Sequence, residues 1–301
     1  MAMRNVTGIG LPILFVLALS AWPQQDPAKK PTPLPKAPAG VVIEENVAYL
    51  VDGRSETADL YLPAKRVRSV RSPAVVIIHG GGFTGGDKAA AREFNIGTTL
   101  ALNGYVAMSI NYLLATKDKA SWPQNIQDCM TAVRWLRKNA DRLQIDADHI
   151  GTIGGSAGGH LAAMLAVAES KDGLDPAGPY AEFSWRVQCA VPMYGAYDFT
   201  ERKELTMIGK TREQDPKAYR AASPALYLNP KTPPMLVLCG TADSATTVAN
   251  SERFAEALKK AGVEHQLVLV DGAPHSFHLQ PKQRDLRPLV LGFFDKHLKR
   301  K

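Results

Sequence analysis

Gly154-Gly155-Ser156-Ala157-Gly158 is a G-x-S-x-G run set between an apolar strand-like stretch, Ile150 to Ile153, and a helix-like one, Ala157 to Ala168. A serine in that place sits in a sharp, strained turn, where neighbouring side chains would clash and glycines relieve the crowding. The turn projects Ser156 Oγ above a sheet, and the helix that follows aims its N-terminal dipole at the site. A bare G-x-S-x-G occurs often by chance, so the strand and helix around it make Ser156 a candidate nucleophile. The same alternation of strand and helix recurs along the chain. It predicts an α/β architecture, with a mostly parallel sheet covered by helices on both faces. At 301 residues, 45% hydrophobic and 22% charged, the chain suits one large domain better than two small ones.

Val41 to Val51 and Thr57 to Leu62 read as two strands joined at Asp52-Gly53-Arg54, an antiparallel N-terminal hairpin. Ala74 to Ile78 is a continuous apolar run, as expected of a strand buried on both faces. A helix is predicted over 88–103 and a strand over 105–110. Ile126, Cys129, Met130, Val133, Leu136, Ala140 and Leu143 recur at helical spacing and predict one long amphipathic helix. Further strands are expected over 187–191, 235–238 and 266–270, and helices over 248–261 and 284–299. Residues 199–232 are polar and irregular. Asp128, mid-helix, reads as a structural ion-pair partner.

His79-Gly80-Gly81-Gly82-Phe83 directly follows the buried strand. Acyl transfer builds negative charge on a carbonyl oxygen, and donors must already point at it. The N–H groups of Gly81, Gly82 and Ala157 are the candidates, with His79 as an anchor for the loop. Gly80, Gly82 and Gly85 also spell a dinucleotide fingerprint, but no acid ends the next strand at Ile110-Asn111-Tyr112, so no cofactor is expected. A serine in this context takes its acid and then its histidine from later in the chain. His275 follows a strand and a Gly272-Ala273-Pro274 turn, with His278 as the rival base. Asp243 follows the strand 235–238, with Asp198 and Asp271 as alternatives. The acid's task is to fix the imidazole tautomer and stabilise the imidazolium.

The N-terminus differs from the rest. Ile9 to Leu19 is an apolar run too short, at about 16 Å of helix, to cross a hydrocarbon core of ~30 Å. With Arg4 before it and small residues Ala18 and Ser20 at its end, residues 1–20 read as a signal peptide, and an uncleaved anchor is the alternative. A secreted or periplasmic protein is therefore expected, touching a membrane only if that segment is kept. Residues 21–40 hold six prolines and read as an extended linker, so the catalytic domain is expected over 41–301. The net charge of +7 owes +3 to residues 1–40, and the remainder is too mild to suggest nucleic-acid binding. Cys129, Cys189 and Cys239 form no disulfide framework and read as buried thiols. No metal-ligand spacing occurs.

Tyr61-Leu62-Pro63, His79-Gly80-Gly81-Gly82-Phe83, Trp122-Pro123, Asp128-Cys129, Ala132-Val133-Arg134-Trp135-Leu136, Gly155-Ser156-Ala157-Gly158-Gly159-His160 and Pro274-His275-Ser276-Phe277 together resemble the acetyl esterase/lipase branch of α/β-hydrolases. Within it the sequence is most similar to the bifunctional feruloyl and acetyl-xylan esterase group. The resemblance spans about residues 42–298 and implies an α/β-hydrolase fold and an acyl-enzyme mechanism without cofactor. It also implies small acyl esters as substrates, often on plant polysaccharides. One departure is Leu113 after Asn111-Tyr112, where such relatives often carry Arg. A formamidase or serine peptidase on the same fold is the rival enzyme, separated by assaying amides beside esters. An inactive binding module is the rival outside enzymology. Tyr112, Trp122 and Tyr194 are candidate pocket walls. The segment 199–232 lacks the continuous apolar face of a lipid lid, so an open site is expected.

Overall fold

The structure, a computed structural model, describes residues 34–51, 53–66, 70–175 and 178–300. The proposed signal segment and most of the linker lie outside them. Eight strands form one sheet: β1 (Val41–Ala48), β2 (Thr57–Pro63), β3 (Ser72–Ile78), β4 (Val106–Ile110), β5 (Ile145–Gly155), β6 (Cys189–Met193), β7 (Met235–Gly240) and β8 (His265–Val270). Their order is β1-β2-β4-β3-β5-β6-β7-β8. Pairing is antiparallel between β1 and β2 and between β2 and β4, and parallel everywhere from β4 to β8. Only β2 therefore runs against its neighbours, and this is the α/β-hydrolase fold.

Strand β3 shows why the centre of the sheet reads as unbroken apolar sequence. Ala74, Val76 and Ile78 point into one core with Met130 and Val133 of α2 (Gln124–Lys138) and Leu161 of α4 (Ala157–Val167). Val75 and Ile77 point into a second core with Ile96 and Leu100 of α1 (Ala91–Leu102) and Phe294 of α7 (Arg287–Leu298). A strand covered on both faces alternates between two dry environments and needs no polar residue. The three cysteines are free and buried.

Several boundaries differ from the sequence reading, each for a local reason. The predicted start of α1 at Lys88 moves to Ala91 because the Lys88 backbone N–H donates to Asn111 Oδ1 and its ammonium reaches Asp59 at 2.6 Å, with both side chains buried. The long helix expected over 126–143 breaks at Asn139, whose amide donates to the Trp135 carbonyl; the short α3 (Ala140–Leu143) follows. Strand β5 begins five residues early. Its polar Asp146-Ala147-Asp148-His149 stretch hides a strand whose first residue, Ile145, pairs with Ser72. Helix α6 (Ala245–Lys260) begins three residues early, directly after Ser244, whose hydroxyl accepts from the Thr247 N–H as an N-cap. The segment 199–232 carries a six-residue helix, α5 (Pro216–Ala221), and buries Met207 and Tyr219 as anchors beneath a polar exterior.

Asp128 is the ion-pair partner expected of it. Arg54 grips both its carboxylate oxygens at 2.7 and 3.1 Å, and Gln124 and the Leu113 N–H complete the set. The pair pins the chain between β1 and β2 to the middle of α2.

Candidate active site

Strands β5, β7 and β8 run parallel, so their C-terminal ends open at the same edge of the sheet. Each is followed at once by a chemistry-bearing residue. After β5 comes Ser156, held at φ 56°, ψ −118°, a left-handed conformation that costs a non-glycine residue strain. The turn closes because its glycines have no side chain: a Cβ on Gly158 would lie 2.0 Å from the Ile78 carbonyl oxygen, and one on Gly154 2.3 Å from that of Gly158. The Ser156 N–H donates to the Met193 carbonyl at 2.9 Å, fixing the elbow to β6.

His275 lies beyond β8 and Asp243 beyond β7. His275 Nε2 is 2.9 Å from Ser156 Oγ, and Nδ1 is 2.6 Å from Asp243 Oδ2. With Nδ1–H donating to the carboxylate, Nε2 presents its lone pair to the serine hydroxyl, which is the tautomer a base requires. The Asp243 side chain is 3% exposed and also accepts the Ser244 N–H through Oδ1. The rivals lie elsewhere. His278 is exposed and accepts from the Gln280 N–H, Asp198 caps Thr200, and Asp271 accepts from Thr241 Oγ1.

Gly82 and Ala157 border the same cavity, about 260 Å³, as Ser156 and His275. Gly81 at φ 118° and Gly82 at φ 62° take conformations that favour glycine, and a Cβ on Gly81 would lie 2.2 Å from the Gly85 carbonyl oxygen. Among the described residues no backbone hydrogen bond uses the N–H of Gly81 or Gly82. Ala157, first in α4, has no intrahelical acceptor for its own. Gly82 and Ala157 thus bring unused donors to the cavity beside Ser156, and Gly81 adjoins them in the loop. His79 Nδ1 lies 2.7 Å from the Gly80 carbonyl, and its ring stacks on Tyr112, whose hydroxyl donates to the His79 carbonyl.

Of the candidate walls, Tyr194 borders the cavity, edge-on to His275 at 4.9 Å, and its hydroxyl donates to the Phe277 carbonyl. Burial pushes that phenol up to about 12, with Arg92 opposing. Tyr112 sits behind His79, and Trp122 reaches only the ring of His160. Further walls include Phe83, His160 and Phe199, together with Arg202, Leu205, Thr247 and Asn250. Sequence reasoning missed Arg202, Thr247 and Asn250, because Arg202 belongs to a polar stretch without periodicity and the other two to the first turns of a helix placed too late. The Ser244 cap immediately after Asp243 was the signal that could have found the latter two.

Among the described residues no group of His, Cys, Asp or Glu could hold a metal, and no helix is long and apolar enough to cross a membrane. The arrangement is suited to nucleophilic attack by Ser156 with charge collected at backbone donors.

Comparison with known proteins gives the same frame. Esterase LipQ of Mycobacterium tuberculosis is 31% identical over 245 residues, covering 78% of this chain and 57% of LipQ. The chain spans about half the length of these curated relatives. Thermogutta terrifontis esterase 2, solved phosphorylated by paraoxon, superposes with a TM-score of 0.72 at 28% identity, over 89% of this chain and 98% of that one. A truncated carbohydrate esterase from gut microbiota gives 0.78 over 88% of this chain and 100% of its own; at 24% identity that likeness speaks for the fold alone. A family match over residues 58–258 takes in the glycine loop, the elbow and Asp243 alike, and with it the chain belongs to the BD-FAE family.

Proposed function

We propose that the protein is a serine carboxylic-ester hydrolase that cleaves short-chain esters through an acyl-enzyme. The observation that carries this reading is the continuous hydrogen-bond chain Ser156–His275–Asp243 opening on a cavity with backbone donors beside it. Ser156 Oγ attacks the ester carbonyl carbon while His275 Nε2 takes its proton. The N–H groups of Gly81, Gly82 and Ala157 hold the oxygen as it becomes an anion. The tetrahedral adduct collapses, the C–O bond breaks, and His275 returns the proton to the departing alcohol. Water then repeats the sequence, freeing the acid and restoring Ser156.

The decisive test is substitution. Ser156→Ala and His275→Ala each lower kcat on p-nitrophenyl acetate by at least ~10³-fold with circular dichroism unchanged, because the triad acts as a unit. His278→Ala stays within about twofold of the parent on the same assay. Full activity in His275→Ala would overturn the assignment. Paraoxon, which phosphorylates the Thermogutta terrifontis enzyme, is expected to label this chain at Ser156.

The polar exterior of 199–232 and the modest cavity favour acetyl-like groups over long chains, and membership of the BD-FAE family, with motifs that resemble the feruloyl and acetyl-xylan esterases, favours a sugar as the alcohol. A kcat/KM higher on p-nitrophenyl palmitate than on the acetate would refute the first, and failure to release acetate from acetylated xylan the second. Residues 1–20 are proposed to be removed as a signal peptide and 21–40 to act as a linker, giving a secreted or periplasmic enzyme. N-terminal sequencing of the native protein that still finds Arg4 would count against cleavage.

A further inference from the structure

The cavity over Ser156 does not end at its rim. Gly82, Phe83, Arg202 and Leu205 border it and also border a second, larger cleft of about 1080 Å³. One wall of this cleft is the loop 116–120, which follows β4. The other is the polar arm 201–214. The two are tied together at one point, where the Ser121 and Trp122 N–H groups both donate to the Met207 carbonyl at 2.9 Å. The arm is itself held in a hairpin by the Glu204–Thr211 bridge. The cleft is therefore built by the fold and continuous with the reacting centre.

Its charge is uneven. Lys117, Lys119, Arg202, Lys203 and Lys210 border it, against Asp118, Glu201 and Glu204. Glu201 is taken up by Arg212 at 3.0 Å, and Lys210 by Asp215 at 3.4 Å. Lys117, Lys119, Arg202 and Lys203 take part in no ion pair or side-chain hydrogen bond among the described residues, and only Asp118 and Glu204 remain to balance them. Four uncommitted cations against two acids leave a positive wall in a cleft that opens into the cavity over Ser156. Arg202 stands where the two cavities meet, and a guanidinium presents a planar pair of N–H donors to an oxyanion.

We infer that this cleft is the alcohol-side binding site, and that it selects a saccharide bearing an anionic group, a carboxylate or a sulfate, on the part of the sugar that occupies the cleft. The inference rests on the esterase reading for its alcohol-side role. A neutral sugar would meet the four cations through hydroxyl hydrogen bonds alone, with no charge to pair. An anionic one would pair with Arg202 or the lysines and be drawn in by their field, an effect that salt weakens.

Binding can be read without hydrolysis. Calorimetry of the intact protein would compare three ester-free xylo-oligosaccharides of equal length: one unsubstituted, one carrying a glucuronate and one carrying a sulfate. At low salt the anionic sugars are expected to bind ~3–10-fold more tightly, the range that a few exposed ion pairs supply, with the advantage shrinking at 0.5 M NaCl. Which anionic sugar wins identifies the group. The triple variant Lys117→Gln, Lys119→Gln, Arg202→Gln should bring the ratio to about one, while Lys117→Arg with Lys119→Arg should keep it. Equal binding of all three sugars, or a ratio unchanged in the triple variant, would overturn the inference. Because p-nitrophenyl acetate contains no sugar and these sugars contain no ester, failure of the esterase reading and failure of the cleft are read in separate experiments.

Discussion

His79 and His160 are both fully buried beside the reacting centre, and burial holds each imidazole down at about 4, below its ordinary 6.5. His160 has one nitrogen, Nδ1, facing the Ala196 carbonyl at 2.9 Å, with its ring stacked on Phe199 and edge-on to Phe83. Such groups make stability depend on pH in a defined direction. Between pH 6.5 and 4 the unfolded chain takes up protons that the folded one refuses, so stability is full above 6.5 and falls as pH drops through that window. A loss of ~2–4 kcal/mol between pH 7.5 and 5 is expected from urea unfolding, most of it before ordinary carboxylates titrate. Stability that stays flat down to pH 5 would sink this account. At this scale the sequence was most informative where one residue does one chemical task. Ser156, Asp243 and His275 stood out because each ends a strand at a glycine-containing turn, and the fold brings them into hydrogen-bond contact. Arg202, Thr247 and Asn250 carried no such mark, since a pocket wall is defined by what lies across from it and not by its neighbours in the chain.

Between elements, the most demanding contacts are polar pairs at buried crossings and one glycine. Asp128 on α2 holds Arg54, and removing the carboxylate in Asp128→Ala leaves the guanidinium with Glu56 as its one remaining acid partner, beside unpaired donors from Gln124 and Leu113. A loss of ~2–4 kcal/mol is expected in chemical denaturation, while the isosteric Asp128→Asn should lose less. Gly97 sits in the middle of α1 against the face of Tyr61 on β2, where an added Cβ would meet three ring atoms at 2.6–2.7 Å. Alanine ordinarily strengthens a helix by up to ~1 kcal/mol, but overpacking of a buried ring costs ~1–3 kcal/mol, so Gly97→Ala should lower Tm. A raised Tm would mean that α1 shifts freely on the sheet. The central elements were legible because burial on both faces writes an apolar run into sequence. The start of β5 and the break after α2 were not: an edge segment with Asp146 and Asp148 looks like a loop, and Asn139 ends a helix by a side-chain bond that periodicity does not record.

Across the whole molecule, the strand order gives the sheet a direction. From β5 outward through β6, β7 and β8 each new strand is laid beside the one before it in the chain, all parallel. The order of triad residues along the chain is then also their order across the sheet, and that much the sequence carried, because sequential parallel strands preserve it. What it did not carry was the cleft beside them, which arises from two loops, 116–120 and 201–214, that are remote in sequence and joined through the Met207 carbonyl. The same directional order has a consequence in time. As the chain is made, the elbow with Ser156 is complete long before His275 exists, and the base arrives only with the outermost strand. Until β8 docks, Ser156 is an ordinary alcohol in a bent backbone. In refolding from denaturant, regain of helical signal should therefore precede regain of p-nitrophenyl acetate turnover, and simultaneous recovery would argue for a single concerted step. On the proposed mechanism a newborn chain of this design is chemically silent, and its power to break bonds is the last thing it acquires.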